Sequence, residues 1–221
     1  MNIVFFGGLP RSGSTLLCSI LSQNPEICTG RISNLCDLMW NAQWSLDNYA
    51  GFSGLPAKNH GYIMSNLPEI YYKDDLDKTI IDQCRAWTLP ANLSMITRYI
   101  TPEPKVICLT RDIDEIRNSY INLFLENGRN DFEGSGYETE LMRNISAVEN
   151  AKTLPEKNVH WVNYNDLVLD TENTLQKIYS FLEKESYKHD LKNIICDFEN
   201  NELHNGLSGL HTVRKEIGFR N

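Results

Sequence analysis

Gly8-Leu-Pro-Arg-Ser-Gly-Ser-Thr15 follows the apolar run Ile3 to Gly7 and precedes a helical spacing of apolar residues at Leu16, Leu17, Ile20 and Leu21. The order is strand, glycine loop, helix. Such a turn aims several backbone N–H groups and a helix N-terminus at one point, the arrangement that holds a phosphate. The loop has the spacing of a Walker A motif, G-x-x-x-x-G-K-[ST], with Ser14 where the lysine should stand. Without that lysine the outer phosphates of a nucleoside triphosphate lack their usual counter-charge. Arg11, inside the loop, is the nearest cation.

A magnesium-binding acid is missing as well. The next strongly apolar run, Val106-Ile-Cys-Leu109, ends in Thr110-Arg111 before it reaches Asp112. A cation stands where a Walker B carboxylate is expected, so the site reads as one for an anion that needs no metal.

With these two stretches the chain resembles the sulfotransferase family. That family's loop reads P-[KR]-S-G-[ST]-T, and its second signature sets Arg-Asp after a strand with a Ser eight residues beyond the Arg. Pro10-Arg11-Ser12-Gly13-Ser14-Thr15 matches the first, and Arg111-Asp112 with Ser119 matches the second. Tyr164-Asn-Asp-Leu167 resembles the family's Tyr-x-Asp-Leu segment, and Gly209-Leu-His-Thr-Val-Arg-Lys215 resembles the closing loop of bacterial members. The resemblance spans residues 3 to 215.

It implies 3′-phosphoadenosine 5′-phosphosulfate (PAPS) as donor, no metal, and a hydroxyl or amine as acceptor. Arg11, Ser12, Gly13, Ser14, Thr15 and Leu16 would surround the 5′-phosphate and its bridging oxygen. Arg111 and Ser119 would hold the 3′-phosphate. Read from their own positions, Tyr164 lines the donor site or is a buried core tyrosine, Trp87 stacks on adenine or belongs to the core, and Arg214 with Lys215 closes over the 3′-phosphate, as the closing loop of relatives does, or forms a solvated tail.

Members that share the Arg form of the loop carry a glutamate base and a catalytic lysine. Here Arg31 and Gln83 stand at those positions, with Arg85 or Arg31 as substitutes for the lost cation. His60 is the leading candidate base, because an imidazole titrates near neutrality and accepts a hydroxyl proton. The catalytic set is then Arg11, Thr15 and His60, with His211, Asp82 and Glu26 as rivals for the base.

Strand candidates are Ile3 to Phe6, Thr79 to Asp82, Lys105 to Thr110 and Val159 to Asn163. Helical stretches separate them: Thr15 to Gln23, Asn34 to Leu46, Leu89 to Tyr99, and a stripe of Ile113, Ile116, Tyr120 and Phe124 capped by Asp112 with Glu115. The alternation predicts an α/β fold of the three-layer P-loop type, a central parallel sheet flanked by helices with ligands at the strands' carboxyl ends. The chain reads as a single domain over 1–221. Asp47 to Gly61 and Asn127 to Gly136 lack periodicity and read as long loops, candidates for lids over an acceptor pocket.

Composition narrows the partners. A net charge of −8 argues against nucleic acid, which needs a broad basic face. No apolar stretch approaches the roughly 20 residues of a membrane span, and Met1 abuts the first strand without a leader. The six cysteines form no C-x-x-C pair and lie mostly in apolar runs, which fits free thiols in a reducing cytoplasm. Two other readings of the loop stay open: a P-loop nucleotide kinase or other phosphotransferase, and a nucleotide-binding protein without catalysis.

Overall fold

The computed structural model describes residues 1–30, 32–53, 57–196, 207–213 and 215–217. Its centre is a five-stranded parallel sheet in the order β2-β3-β1-β4-β5. The strands are β1 (Asn2–Gly8), β2 (Ile27–Thr29), β3 (Thr79–Gln83), β4 (Val106–Thr110) and β5 (Val159–Asn163).

The apolar runs are continuous because the sheet is covered on both faces. Alternate residues of one strand enter different cores. Ile3 and Phe5 of β1 join Ile80, Val106 and Cys108 in one cluster. Val4 and Phe6 join Ile81, Ile107 and Leu109 in the other.

The second core is covered by α1 (Ser14–Leu21), through Leu17, Cys18, Ile20 and Leu21, and by α8 (Thr171–Leu182), through Leu175, Ile178 and Leu182. The first lies under α2 (Leu35–Ser53), α3 (Ala57–Tyr71), α4 (Pro90–Tyr99), α5 (Ile113–Glu126) and α6 (Gly136–Ala151). A short α7 (Tyr164–Leu169) follows β5 directly. The predicted three-layer architecture is the one observed.

All four predicted strands are present. β2 was not foreseen, because three residues at a sheet edge carry no periodic signal. The reading of Asp47 to Gly61 as a lid is corrected: α2 runs to Ser53 and α3 begins at Ala57, with 54–56 outside the described residues. Glycine lowers local helix propensity there, but buried Met64 and partly buried Leu67 anchor α3 to the first core, and packing overrides propensity. The other predicted loop, up to Gly136, does precede a helix, α6. All six cysteines are free.

The chain runs from β1 to β2 and β3 on one side, then crosses to β4 and β5 on the other. β1 is thus where the sheet order reverses, and its carboxyl end opens into the crevice where α/β sheets bind ligands.

Candidate active site

The glycine loop leaves β1 into that crevice. Gly8 has φ 120°, and a Cβ there would lie 2.3 Å from the Leu109 carbonyl oxygen, so the loop can lie flat on β4 only with glycine. Gly13, at φ 89°, is the N-cap of α1 and offers no capping side chain; no acid lies in the first turn. The N–H groups of that turn are left to an outside acceptor, as an anion site requires. Buried Ser12 donates its hydroxyl to the Leu9 carbonyl at 2.5 Å, which shapes the loop from within.

Arg11 has φ 56°, the left-handed region, and its side chain turns across the crevice. Nε donates to Ser119 Oγ at 3.1 Å, another guanidinium N–H donates to the Leu210 carbonyl, and the group lies 5.9 Å from the Tyr120 ring. Arg111 donates through Nη1 to the Arg11 carbonyl and through Nε to Glu115 Oε2, both at 2.9 Å. Its guanidinium sits 4.1 Å from the Tyr164 ring centroid. Asp112 caps α5 as expected, accepting from the N–H groups of Asp114 and Glu115, while the Glu115 side chain turns to Arg111 instead of closing a capping box. Thr15 Oγ1 lies 3.4 Å from His211 Nδ1.

Most of these side chains line one cavity of about 890 Å³, within the range of small-molecule sites, while buried Ser12 lies behind its wall. Arg11, Gly13, Ser14, Thr15, Leu16, Arg111, Ser119 and Tyr164 all contribute to its wall. Thus the cavity gathers residues more than 150 positions apart in the chain, roughly the separation of Arg11 from Tyr164. Lys215 is exposed and outside the lining, its carbonyl accepting from the Ile194 N–H. Arg214 and Arg31 lie outside the described residues.

Several expectations are corrected. Trp87 is fully buried, edge-on to Phe5 at 5.0 Å, and donates Nε1–H to Asp82 Oδ1 at 2.6 Å, so it is a core residue and not an adenine platform. His60 lies within α3 and does not line the cavity. Glu26 precedes β2, at the amino edge of the sheet, and pairs with Lys184 at 3.1 Å. Asp82 is fully buried and accepts from Ser33, Tyr72 and Trp87; burial raises its carboxyl above the usual range while these donors oppose the rise. Of the four candidate bases, His211 alone lines the cavity.

Toward β3 the wall holds Arg85, whose Nη1 donates to Glu140 Oε1 at 2.8 Å. Burial pushes the adjoining Tyr120 phenol up to about 12, with Arg85 and Arg11 opposing the rise and Glu140 adding to it. Glu140 was missed in the sequence because α6 was. The signal was there: Ser135 caps the helix by accepting from the Glu138 N–H, and the Glu138 side chain accepts from the Gly134 N–H, close to a capping box.

A family model described as "Sulfotransferase family" matches residues 4–188. The sulfotransferase domain of the olefin synthase from Synechococcus PCC 7002 is 18% identical, with a TM-score of 0.62 over 92% of this chain and 82% of that one. The sulfotransferase domain from the curacin biosynthetic pathway is 17% identical, with a TM-score of 0.60 over 85% and 75%. A sulfotransferase from Alicyclobacillus acidocaldarius is 13% identical, with a TM-score of 0.56 over 86% and 83%. At these identities the structures speak for the fold alone. No curated protein matches the sequence significantly. The family match takes in both the glycine loop and the Arg111 segment, which share one cavity; the chain belongs to the sulfotransferase family and is a sulfotransferase.

Proposed function

We propose that the enzyme moves a sulfuryl group from PAPS to a hydroxyl or amine, by in-line transfer without a metal, and that residues 1–221 act as one domain. The observation that carries this reading is the linkage of the loop to the second signature through Arg11, which reaches Ser119 with its side chain and Arg111 with its carbonyl. One nucleotide with phosphates at both ends suits two such anion sites in a single cavity.

The 5′-phosphate would take the uncapped first turn of α1 with Ser14 and Thr15. Arg111 and Ser119 would take the 3′-phosphate, and Tyr164 would keep the Arg111 plane in place. His211, beside Thr15, would add a ring nitrogen on the leaving-phosphate side. The six free cysteines suit a reducing cytoplasm, and no helix among the described residues is long and apolar enough to cross a membrane.

Calorimetric titration with 3′-phosphoadenosine 5′-phosphate (PAP), against ADP with Mg²⁺, tests the reading. Metal-independent PAP binding that collapses in Arg111→Ala is expected. Preference for ADP with Mg²⁺ would instead identify a phosphotransferase.

A further inference from the structure

We propose that Arg85 and Glu140 are the catalytic pair of the acceptor half, Glu140 taking the proton of an acceptor hydroxyl while Arg85 holds its oxygen. This rests on the donor reading above.

Placement comes first. Arg85 follows β3 by two residues, and its carbonyl oxygen lies 3.9 Å from where a Cβ on Gly7 would stand, so its turn abuts the strand that feeds the glycine loop. α6, which carries Glu140, packs on both that turn and β1. Arg85 and Glu140 line the same cavity as the loop, and the Tyr120 phenol feels both of them together with Arg11.

Next comes bonding. The ion pair uses one carboxylate oxygen and one Nη; Arg85 Nε is buried with no acceptor. An orphaned guanidinium N–H marks the pair as incomplete, because a buried donor without a partner has given up its hydrogen bond to water and gained none in return. A ligand oxygen would meet the guanidinium where it still faces the cavity, since the Arg85 side chain keeps 14% exposure and lines the wall.

His211 sits beside Thr15, at the donor end of the cavity, and the other competing groups are engaged or unanchored. Gln83, at the position where relatives are expected to have lysine, is buried and accepts from the Cys18 thiol at 3.3 Å on the opposite side of the sheet. Glu115 is held by Arg111. Asp131 uses both oxygens on Arg129, at 2.9 and 2.7 Å. Asp82 is sealed in the core. Glu126 and Glu216 are exposed and form no ion pair with an arginine among the described residues. Glu140 combines a cavity position, a fixed orientation and a second oxygen outside its bond to Arg85.

The pair also selects its acceptor. A hydroxyl donates to a carboxylate and accepts from a guanidinium, so it meets both groups at once. An ammonium has no lone pair and meets the Arg85 charge. In the transfer, the hydroxyl oxygen forms a bond to sulfur as its proton passes to Glu140. The bridging sulfur–oxygen bond breaks and its electron pair leaves on PAP. Glu140 then returns the proton to water.

Water is itself a hydroxyl acceptor, which permits a test before the natural acceptor is known. PAP release from PAPS is followed in the wild type, Glu140→Gln, Glu140→Ala and Arg85→Gln, with PAP binding measured by calorimetry in each. We expect release to fall about 100-fold in Glu140→Gln, the scale of a lost general base, with PAP affinity within about twofold. The pH profile of release should change with it, since among the described residues the charged and titratable groups facing Glu140 are Arg85, Tyr120 and Tyr137. Added formate should restore part of the rate in Glu140→Ala, a rescue that a structural role would not produce. Wild-type rate and pH profile in Glu140→Gln would overturn the proposal, as would a wild type that binds PAP and releases none from PAPS. A wild type that does not bind PAP would instead overturn the donor reading.

Discussion

Arg11 Nε donates to Ser119 Oγ at 3.1 Å across 108 residues of sequence, tying the glycine loop to α5. The bond holds a guanidinium in place that would otherwise sample many rotamers before an anion arrived. Ser119→Ala should weaken PAP binding about 5- to 10-fold, the equivalent of one lost hydrogen bond. Thermal denaturation should change little, because the serine is only half-buried. Unchanged affinity in calorimetry would mean that neither the Ser119 hydroxyl nor its hold on Arg11 contributes to binding.

Arg111 separates shape from charge. Its fork reaches Glu115 and the Arg11 carbonyl while its flat face lies on Tyr164. Lysine keeps the charge and loses both the fork and the stack. Arg111→Lys should therefore lose PAP affinity at least about tenfold, and Tyr164→Phe should retain it. Tyr164→Ala should fall between them. Equal affinities for Arg111→Lys and wild type would reduce the site to a point charge.

Gly13 is constrained twice. Its φ of 89° disfavours any L side chain, and a Cβ there would stand 3.0 Å from the Tyr164 ring. Gly13→Ala should destabilise the fold by about 1–3 kcal/mol and misplace the first turn of α1. Chemical denaturation and PAP titration measure the two effects separately. A stable, tightly binding Gly13→Ala would show that the loop relaxes without loss.

The sheet was legible because Ile3–Phe6 and Val106–Leu109 are buried on both faces, and Arg111 was legible because it follows such a run. β2 was not, being a three-residue edge strand whose pairing with β3 is set by tertiary structure. His60 was misplaced because the glycines around it read as loop, while Met64 and Leu67 hold that segment helical through contacts invisible locally. Trp87 follows a strand toward the ligand edge, and its inward turn is decided by a partner, Asp82, that no spacing reveals. Glu140 lay unnoticed because it depends on α6, whose start is written in Ser135 and Glu138 among glycines that suggest a loop.

Asp82 yields a prediction whose sign follows from its burial. The carboxyl is sealed, and burial raises its titration above the ordinary carboxylate value against the pull of Tyr72, Trp87 and Ser33. The folded state then holds a proton that the unfolded state has already released, so stability is greatest below the ordinary value and falls as pH rises toward the raised one. Asparagine keeps the shape: its oxygen accepts from Trp87, and its NH₂ donates to the hydroxyls of Tyr72 and Ser33, which can rotate. Asp82→Asn should remove this one contribution, so the Tm difference between variant and wild type should move in the variant's favour from pH 4 to 8. Asp82→Ala leaves the Trp87 N–H buried without an acceptor and should cost about 1–3 kcal/mol at any pH in that range. A Tm difference for Asp82→Asn that does not vary with pH would show that Asp82 titrates at its ordinary value, its three donors cancelling its burial.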